Sequence, residues 1–345
     1  MLDDGAGPIH AEPMPKTPTP TPALLLDDDD VTALFDLDAA LRSQRAAFRA
    51  LGEGTAQLPR RLLMEGPAGS ATFCYAAKAG PAAASVCKFG AVVPGNPSRG
   101  LPAVDATVLV LDPGTGRLAA VLDGTTLTTL RTSAASAVAV EALAGDGPHV
   151  LTVVGASVQA HAHVHAVAAV TRLTEVRLCG RDPQATAGLA QRLREELGEL
   201  PVRTGSAAEL VPGASIVATC TSSLEPVIDD AWVDPGATVV AVGSFGADRR
   251  ELPPALVARA QVVVDDLDTA LEHAGPVVAA VADGTLEQAD LSTLGGVLVG
   301  REPGRRGPED VAVFISVGLG IQDATAAEVV LKAARRAGRG RPLPL

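Results

Sequence analysis

Two groups of residues in this chain have the types and spacing to do chemistry. Residues 151–160 read Leu-Thr-Val-Val-Gly-Ala-Ser-Val-Gln-Ala, an apolar run that stops at a glycine and opens into a helix. Upstream lie Lys88, inside the otherwise apolar run Ser85-Val86-Cys87-Lys88-Phe89, and Arg131-Thr132, at the head of a nearly uncharged helical segment. A charge placed in an apolar strand is costly unless it is used. Arginine grips a carboxylate bidentately and stays charged at any working pH. A lysine among other cations has a lowered pKa and can pass protons to an imine or amine nitrogen. A nucleotide turn following such cations points to redox chemistry on a small carboxylate. The competing view is that these are ordinary surface charges.

Gly155 permits a tight turn, and the helix that follows offers unpaired N–H groups and the positive end of its dipole to a pyrophosphate. The dinucleotide pattern G-x-G-x-x-G/A places a second glycine where backbone approaches phosphate; here it reads G-A-S-V-Q-A, with Ser157 in that place and Ala160 acceptable at the third. Ser157 either crowds the phosphate or donates to it. About 25 residues on, the second strand ends in Cys179-Gly180-Arg181-Asp182-Pro183. An acid near here holds a ribose 2′-hydroxyl and an arginine accepts a 2′-phosphate. Arg181 comes first and favours NADP(H). Asp182 keeps NAD(H) open, unless it only caps the helix from Pro183. His161, His163 and His165 form an HxHxH run whose outer members share a helix face. With no third ligand evident nearby, polar helix positions are the simpler reading, and no metal is expected.

The elements that must position these groups follow from composition and period. The chain has 345 residues, 47% of them hydrophobic and only 2% aromatic, so Ala, Val and Leu fill the cores. That length accommodates two domains, and small core residues favour α/β packing. A net charge of −12 argues against a nucleic-acid partner. Four cysteines without a CxxC pair argue against a disulfide framework and fit a reducing, cytoplasmic setting. No apolar run reaches the ~20 residues of a membrane span, so no membrane partner is expected. Residues 1–22, rich in Pro and Thr, read as a disordered tail. Val31 to Leu51 has helical period, and residues 58–122 read as a mixed sheet with little helix. After a helix over 127–143, strand candidates at 150–154, 175–179, 215–219, 238–242 and 261–265 alternate with helices. That pattern predicts a doubly wound parallel sheet. A further apolar run, 311–317, and a last helix over 324–337 follow. The expected domains are 23–130 for substrate and dimerisation, with 318–345 returning to it, and 131–317 for the dinucleotide.

Several segments then align with one family: Pro59-Arg60-Arg61, Val86-Cys87-Lys88-Phe89-Gly90, and Leu122 to Ala135 (LDGTTLTTLRTSAA). Pro94-Gly95-Asn96, Gly100-Leu101-Pro102, Gly155 to Ala160, Thr219-Cys220-Thr221-Ser222-Ser223, Arg250-Glu251-Leu252 and Phe314 to Gly318 complete the set. Over about residues 24 to 340 the chain resembles the ornithine cyclodeaminase/mu-crystallin family. The resemblance implies a Rossmann-like sheet carrying a nicotinamide dinucleotide, and a mixed α+β domain that binds an amino acid or its imine and forms a homodimer. It assigns the substrate carboxylate to Arg61, Lys88 and Arg131, with Arg60 a neighbouring competitor for Arg61, and Lys88 as the catalytic residue. The cofactor is then expected on Thr132, Gly155, Ala156, Ser157, Val158, Gln159, Arg181, Asp182, Thr219, Cys220, Thr221, Val242, Ser244 and Ser316.

The chain departs from the family at two further places. The cyclodeaminases carry an aspartate for the substrate amine soon after the fourth Rossmann strand, and Phe245 stands there. A phenyl ring offers an ammonium only a weak cation–π contact. The family's Met-Pro-Ala before the lysine strand is replaced by Cys74-Tyr75-Ala76, which brings a phenol within reach of the pocket. The expected activity is therefore an NAD(P)-dependent imine reductase or amino-acid dehydrogenase. The alternatives are a cyclodeaminase that recycles its NAD, and a non-enzymatic ligand-binding member.

Overall fold

The computed structural model describes residues 22–344, so the tail expected over 1–22 lies, but for residue 22, outside the described residues. The first half of the chain comprises β1 (Ala23–Leu26), α1 (Asp28–Leu34), α2 (Leu37–Glu53), β2 (Leu62–Glu65), β3 (Ala71–Ala77), β4 (Ser85–Val92), β5 (Val104–Leu111), β6 (Leu118–Asp123) and α3 (Thr125–Leu143). Next come β7 (His149–Val154), α4 (Val158–Val170), β8 (Leu173–Cys179), α5 (Pro183–Leu197), β9 (Val202–Thr204), α6 (Ala207–Leu210), β10 (Ile216–Thr219) and β11 (Thr238–Ala241). The chain continues through α7 (Pro254–Arg259), β12 (Gln261–Val264), α8 (Leu267–His273), α9 (Gly275–Ala282), β13 (Ser292–Thr293), α10 (Leu294–Leu298), β14 (Ala312–Ile315), α11 (Gly320–Ala337) and β15 (Arg341–Leu343).

Two sheets organise these elements. One is mixed, in the order β15-β1-β6-β5-β4-β3-β2, with only the β1–β6 pair parallel. The other is wholly parallel, in the order β13-β12-β14-β11-β10-β7-β8-β9. Its strands β10, β11, β12 and β14 are buried throughout, as they must be when helices cover both faces. The chain runs from β7 out to β8 and β9, then returns to place β10 on the other side of β7. That reversal opens a crevice at the carboxyl ends of β7 and β10, where α/β sheets bind ligands.

The helix expected over 31–51 is two helices. Asp36 breaks it, because its side chain accepts the Ala39 N–H at 2.7 Å and starts α2 afresh. The expected boundary at 130/131 falls inside α3, which runs unbroken and buries Leu127, Ala134, Val138 and Leu143. Helix α3 packs on α2 and α11 beside the mixed sheet and on α4 beside the parallel one, so one helix serves both cores. Helix α11 returns to lie against β3, β4 and β5, and β15 adds antiparallel to β1. Among the described residues no helix is long and apolar enough to cross a membrane.

Candidate active site

Strand β4 alternates, and Lys88 falls on its inward face between α3 and α11, with the side chain only 2% exposed. Its Nζ donates to Thr128 Oγ1 at 2.6 Å and to Asp323 Oδ1 at 3.1 Å. Arg131, one turn after Thr128 on α3, brings its Nε to 3.3 Å from the same Asp323 oxygen and donates from a terminal nitrogen to Gln322 Oε1 at 3.1 Å. Lys88 and Arg131 therefore converge, on a carboxylate that sequence reasoning missed. Burial pulls the Lys88 ammonium down to about 8; Asp323 raises it and Arg131 lowers it again. Such a lysine exchanges its proton near neutrality.

Tyr75 sits directly across the β3–β4 ladder from Lys88 and stacks on Phe73, ring centroids 4.8 Å apart. Its phenol is raised chiefly by burial, against the nearby charge of Arg61. Arg61 is half-buried, and its Nε is buried without a hydrogen-bond partner. Arg60 instead is exposed and pairs with Glu272 of α8 at 3.0 Å. Arg61 is the arginine that acts on the Tyr75 phenol, although Arg60 lines the same cavity. Arg61, Tyr75, Asp268, His273 and Gly318 line a cavity of about 610 Å³. Lys88 and Arg131 thus share the single carboxylate of Asp323, while Arg61 faces a cavity that Asp266, Asp268 and Glu272 also line.

The loop after β14 joins this cluster to the parallel sheet. Asp265, just past β12, accepts from Ser316 Oγ at 3.2 Å and from the Val317 and Gly318 N–H groups at 2.8 and 2.9 Å. Burial pushes Asp265 up to about 6, against these bonds. The loop is thereby held with Gly318 against the Arg131 guanidinium.

At the switch point Gly155 has φ +127°, and a Cβ there would lie 2.5 Å from the Cys220 carbonyl oxygen. Only glycine fits this turn between β7 and β10. Ser157 is the N-cap of α4: its Oγ accepts from Ala160 N–H and donates to Cys220 O, both at 3.4 Å. The hydroxyl is thus engaged with the helix start and the neighbouring loop. Ala156 and Gln159 are half-buried and Val158 is exposed at the head of α4, where the first helical N–H groups have no intrahelical partner. A glycine cradle closed by backbone, an exposed helix start and an unpartnered buried Gln159 Oε1 together fit a dinucleotide.

The remaining expected cofactor residues divide. Thr219 ends β10 and Cys220 follows it, both buried, Val242 is half-buried after β11, and Thr132 is buried in α3. Thr221 and Ser244 are engaged by a residue not foreseen, Glu251. Glu251 Oε1 accepts from Thr221 N–H and Oγ1 at 2.7 and 2.8 Å, and Oε2 from Gly243 N–H at 2.6 Å, while Ser244 Oγ accepts from Glu251 N–H at 3.1 Å. Glu251 ties together the loops that follow β10 and β11. Asp182 caps α5, its Oδ1 accepting from Gln184 and Ala185 N–H at 2.9 and 3.2 Å. Arg181 beside it is exposed and makes no ion pair among the described residues. Phe245 packs against the core of the parallel sheet, with the Arg249 guanidinium 4.6 Å from its ring centre.

A doubly wound sheet with a glycine cradle at its switch point, joined through α3 and the 316–319 loop to a buried cation cluster on a second sheet, defines a dinucleotide-binding enzyme. The comparisons with known proteins agree. The family model for the ornithine cyclodeaminase/mu-crystallin family matches residues 23–338, and the chain belongs to that family. The iminosuccinate reductase of Paracoccus denitrificans is 33% identical over 308 residues, 87% of this chain and 95% of the relative. The structure of Thermococcus litoralis Δ(1)-pyrroline-2-carboxylate reductase in complex with NADH and L-proline superposes with a TM-score of 0.89 at 29% identity, covering 93% of this chain and all of that one. An archaeal alanine dehydrogenase dimer with bound NAD gives 0.89 at 30% identity, covering 94% of this chain and all of that one.

Proposed function

We propose that this chain is a nicotinamide-dependent oxidoreductase that reduces the imine of a small 2-oxo acid or, in reverse, oxidises the corresponding amino acid. The observation that carries this reading is the convergence of Lys88 and Arg131 on Asp323 beside the loop leaving β14. Arg61 and Arg131 anchor the substrate carboxylate. Lys88 neutralises it too, and holds the proton that the imine nitrogen takes up. Thr128 and Asp323 orient the Lys88 ammonium, and Tyr75 closes the wall beside Arg61. The nicotinamide, when bound, supplies or accepts the hydride at the substrate α-carbon. Residues 155–159 hold the pyrophosphate end, and the protein's task is alignment and charge neutralisation.

NADP(H) is the favoured cofactor, because Arg181 is exposed while Asp182 is committed to capping α5; NAD(H) is the alternative. Phe245, half-buried against a core, offers no carboxylate to a substrate amine, which disfavours the cyclodeaminase reading. The exposed Phe89, Leu109 and Leu111 on the outer face of the mixed sheet support a homodimer through that face. The test is Lys88→Ala. Turnover with a panel of cyclic and linear imino acids should be lost while NADPH still raises the melting temperature. Turnover equal to wild type overturns the role of Lys88, and failure of both NADH and NADPH to stabilise the protein overturns the enzymatic reading.

A further inference from the structure

The HxHxH run divides in the structure. His163 turns inward; it is fully buried, with Nδ1 2.7 Å from Gln159 O and Nε2 2.9 Å from Ser136 Oγ. His161 and His165 turn outward from α4, one helical turn apart, with ring centroids 4.8 Å apart. Between them comes Glu196, from the last turn of α5, whose Oε2 lies 2.7 Å from each Nε2. The third partner lacking in the local sequence is thus supplied by the neighbouring helix. The three side chains offer two imidazole nitrogens and a carboxylate oxygen, all within 4.8 Å of one another.

We propose that His161, His165 and Glu196 form a binding site for a divalent transition-metal cation, Zn²⁺, that clasps α4 to α5. Two imidazoles and one carboxylate are a ligand set for zinc rather than for magnesium or calcium, which prefer oxygen alone. Tetrahedral zinc holds its ligand atoms about 2.0–2.2 Å from the metal. Reaching that geometry requires the carboxylate to draw back slightly and the two rings to turn inward, with each imidazole proton on Nδ1. The side chains are 28%, 32% and 39% exposed, so the rotamers are free to adjust and a fourth position faces solvent. None of the three lines the cavity beside Arg61 and Tyr75, so the site is separate from the proposed chemistry. Its place in the fold is nonetheless specific: α4 starts at the glycine cradle, and α5 starts at Asp182 beside Arg181.

Titration of the full chain with Zn²⁺ against a chromophoric chelator, with Mg²⁺ as control, tests this. Cys74 and Cys87 are the competing soft ligands, since their Sγ atoms lie 3.4 Å apart. The expected result is one Zn²⁺ bound in wild type and in a Cys74→Ser/Cys87→Ser variant. Affinity should fall at least about tenfold in His165→Ala and again in Glu196→Gln. Imino-acid turnover without zinc should be unchanged in both. Absence of Zn²⁺ binding, undiminished affinity in His165→Ala and Glu196→Gln, or loss confined to the cysteine variant overturns the proposal.

Discussion

Gly318 lies against the guanidinium of Arg131, so closely that a Cβ at Gly318 would come within 3.3 Å of both terminal nitrogens. The contact is where the parallel sheet touches the cation cluster. Gly318 also has φ +85°, a conformation that costs a residue with a Cβ about 1–2 kcal/mol. Gly318→Ala should therefore lower the melting temperature and displace Arg131. Steady-state kinetics should show KM for the imino acid rising more than kcat falls. An unchanged KM would separate Arg131 from the substrate carboxylate.

Asp323 is the sole carboxylate between Lys88 and Arg131 among the described residues. Asp323→Asn leaves two buried cations without their counter-charge, an arrangement that costs about 3–5 kcal/mol when a buried pair is broken from one side. Chemical denaturation should show a loss of this order. Lys88→Met added to Asp323→Asn should recover part of it, because one of the stranded charges is gone. Strict additivity of the two substitutions would mean that the ion pair contributes nothing.

Lys88 and Arg131 were legible in the sequence because each is a charge in an apolar setting, and such a charge needs a reason. Asp323 was not, because it is 235 residues from Lys88 and sits in the first turn of α11, where an acid is ordinary. Glu251 stands within the Arg250-Glu251-Leu252 segment, but its bonds to Thr221 and Gly243 depend on two loops that only the parallel sheet brings together. The parallel, doubly wound class of that sheet was legible from the βα alternation, but its strand order was not. The break at Asp36 was not, since hydrophobic period continues across it and only the cap reveals a new start. Glu196 was equally hidden, because nothing local in the sequence shows that the last turn of α5 meets His161 and His165.

The lowered Lys88 pKa sets a pH dependence. If the imine nitrogen takes its proton from Lys88, kcat/KM for reduction should be level below about pH 8 and fall above it, with the apparent pKa of the ammonium. The same group acts on stability. Between about 8 and its ordinary value of 10.5 the unfolded chain binds a proton that the folded chain has released. Stability from Lys88 therefore rises with pH across that window. A pH–rate profile of wild type would register the first effect, and Lys88→Met should remove the second, which denaturation at pH 7.5 and 10 would register.

His163 makes the opposite end of the scale testable. Burial holds its imidazole down to about 4, although the Gln159 carbonyl raises it. Below its ordinary value of 6.5 the unfolded chain takes a proton that the folded chain refuses until about pH 4. Stability contributed by neutral His163 is thus lost as pH falls through that window. His163→Gln, less stable at pH 7.5 for want of the bonds to Ser136 and Gln159, should lose less on acidification than wild type. Melting temperatures from pH 7.5 to 4.5 would show the two curves converging.

The proposed homodimer rests on the outer face of the mixed sheet. Phe89 is 51% exposed, and Leu109 and Leu111 on the neighbouring strand are 36% and 38% exposed. Cys87 pairs with Leu109 and Ser85 with Leu111 across the ladder, so these residues share one surface with Phe89. The inner face of the same strands carries Val86, Lys88, Val108 and Val110, all buried. An antiparallel sheet with one packed face ordinarily turns polar residues outward, and the apolar ones here are what the proposed homodimer would cover. Phe89→Asp places a charge at the centre of that surface without touching the inner face. It should convert a dimer into monomers in sedimentation velocity while leaving the far-ultraviolet circular dichroism intact. A wild-type chain that sediments as a monomer at micromolar concentration would overturn the assembly.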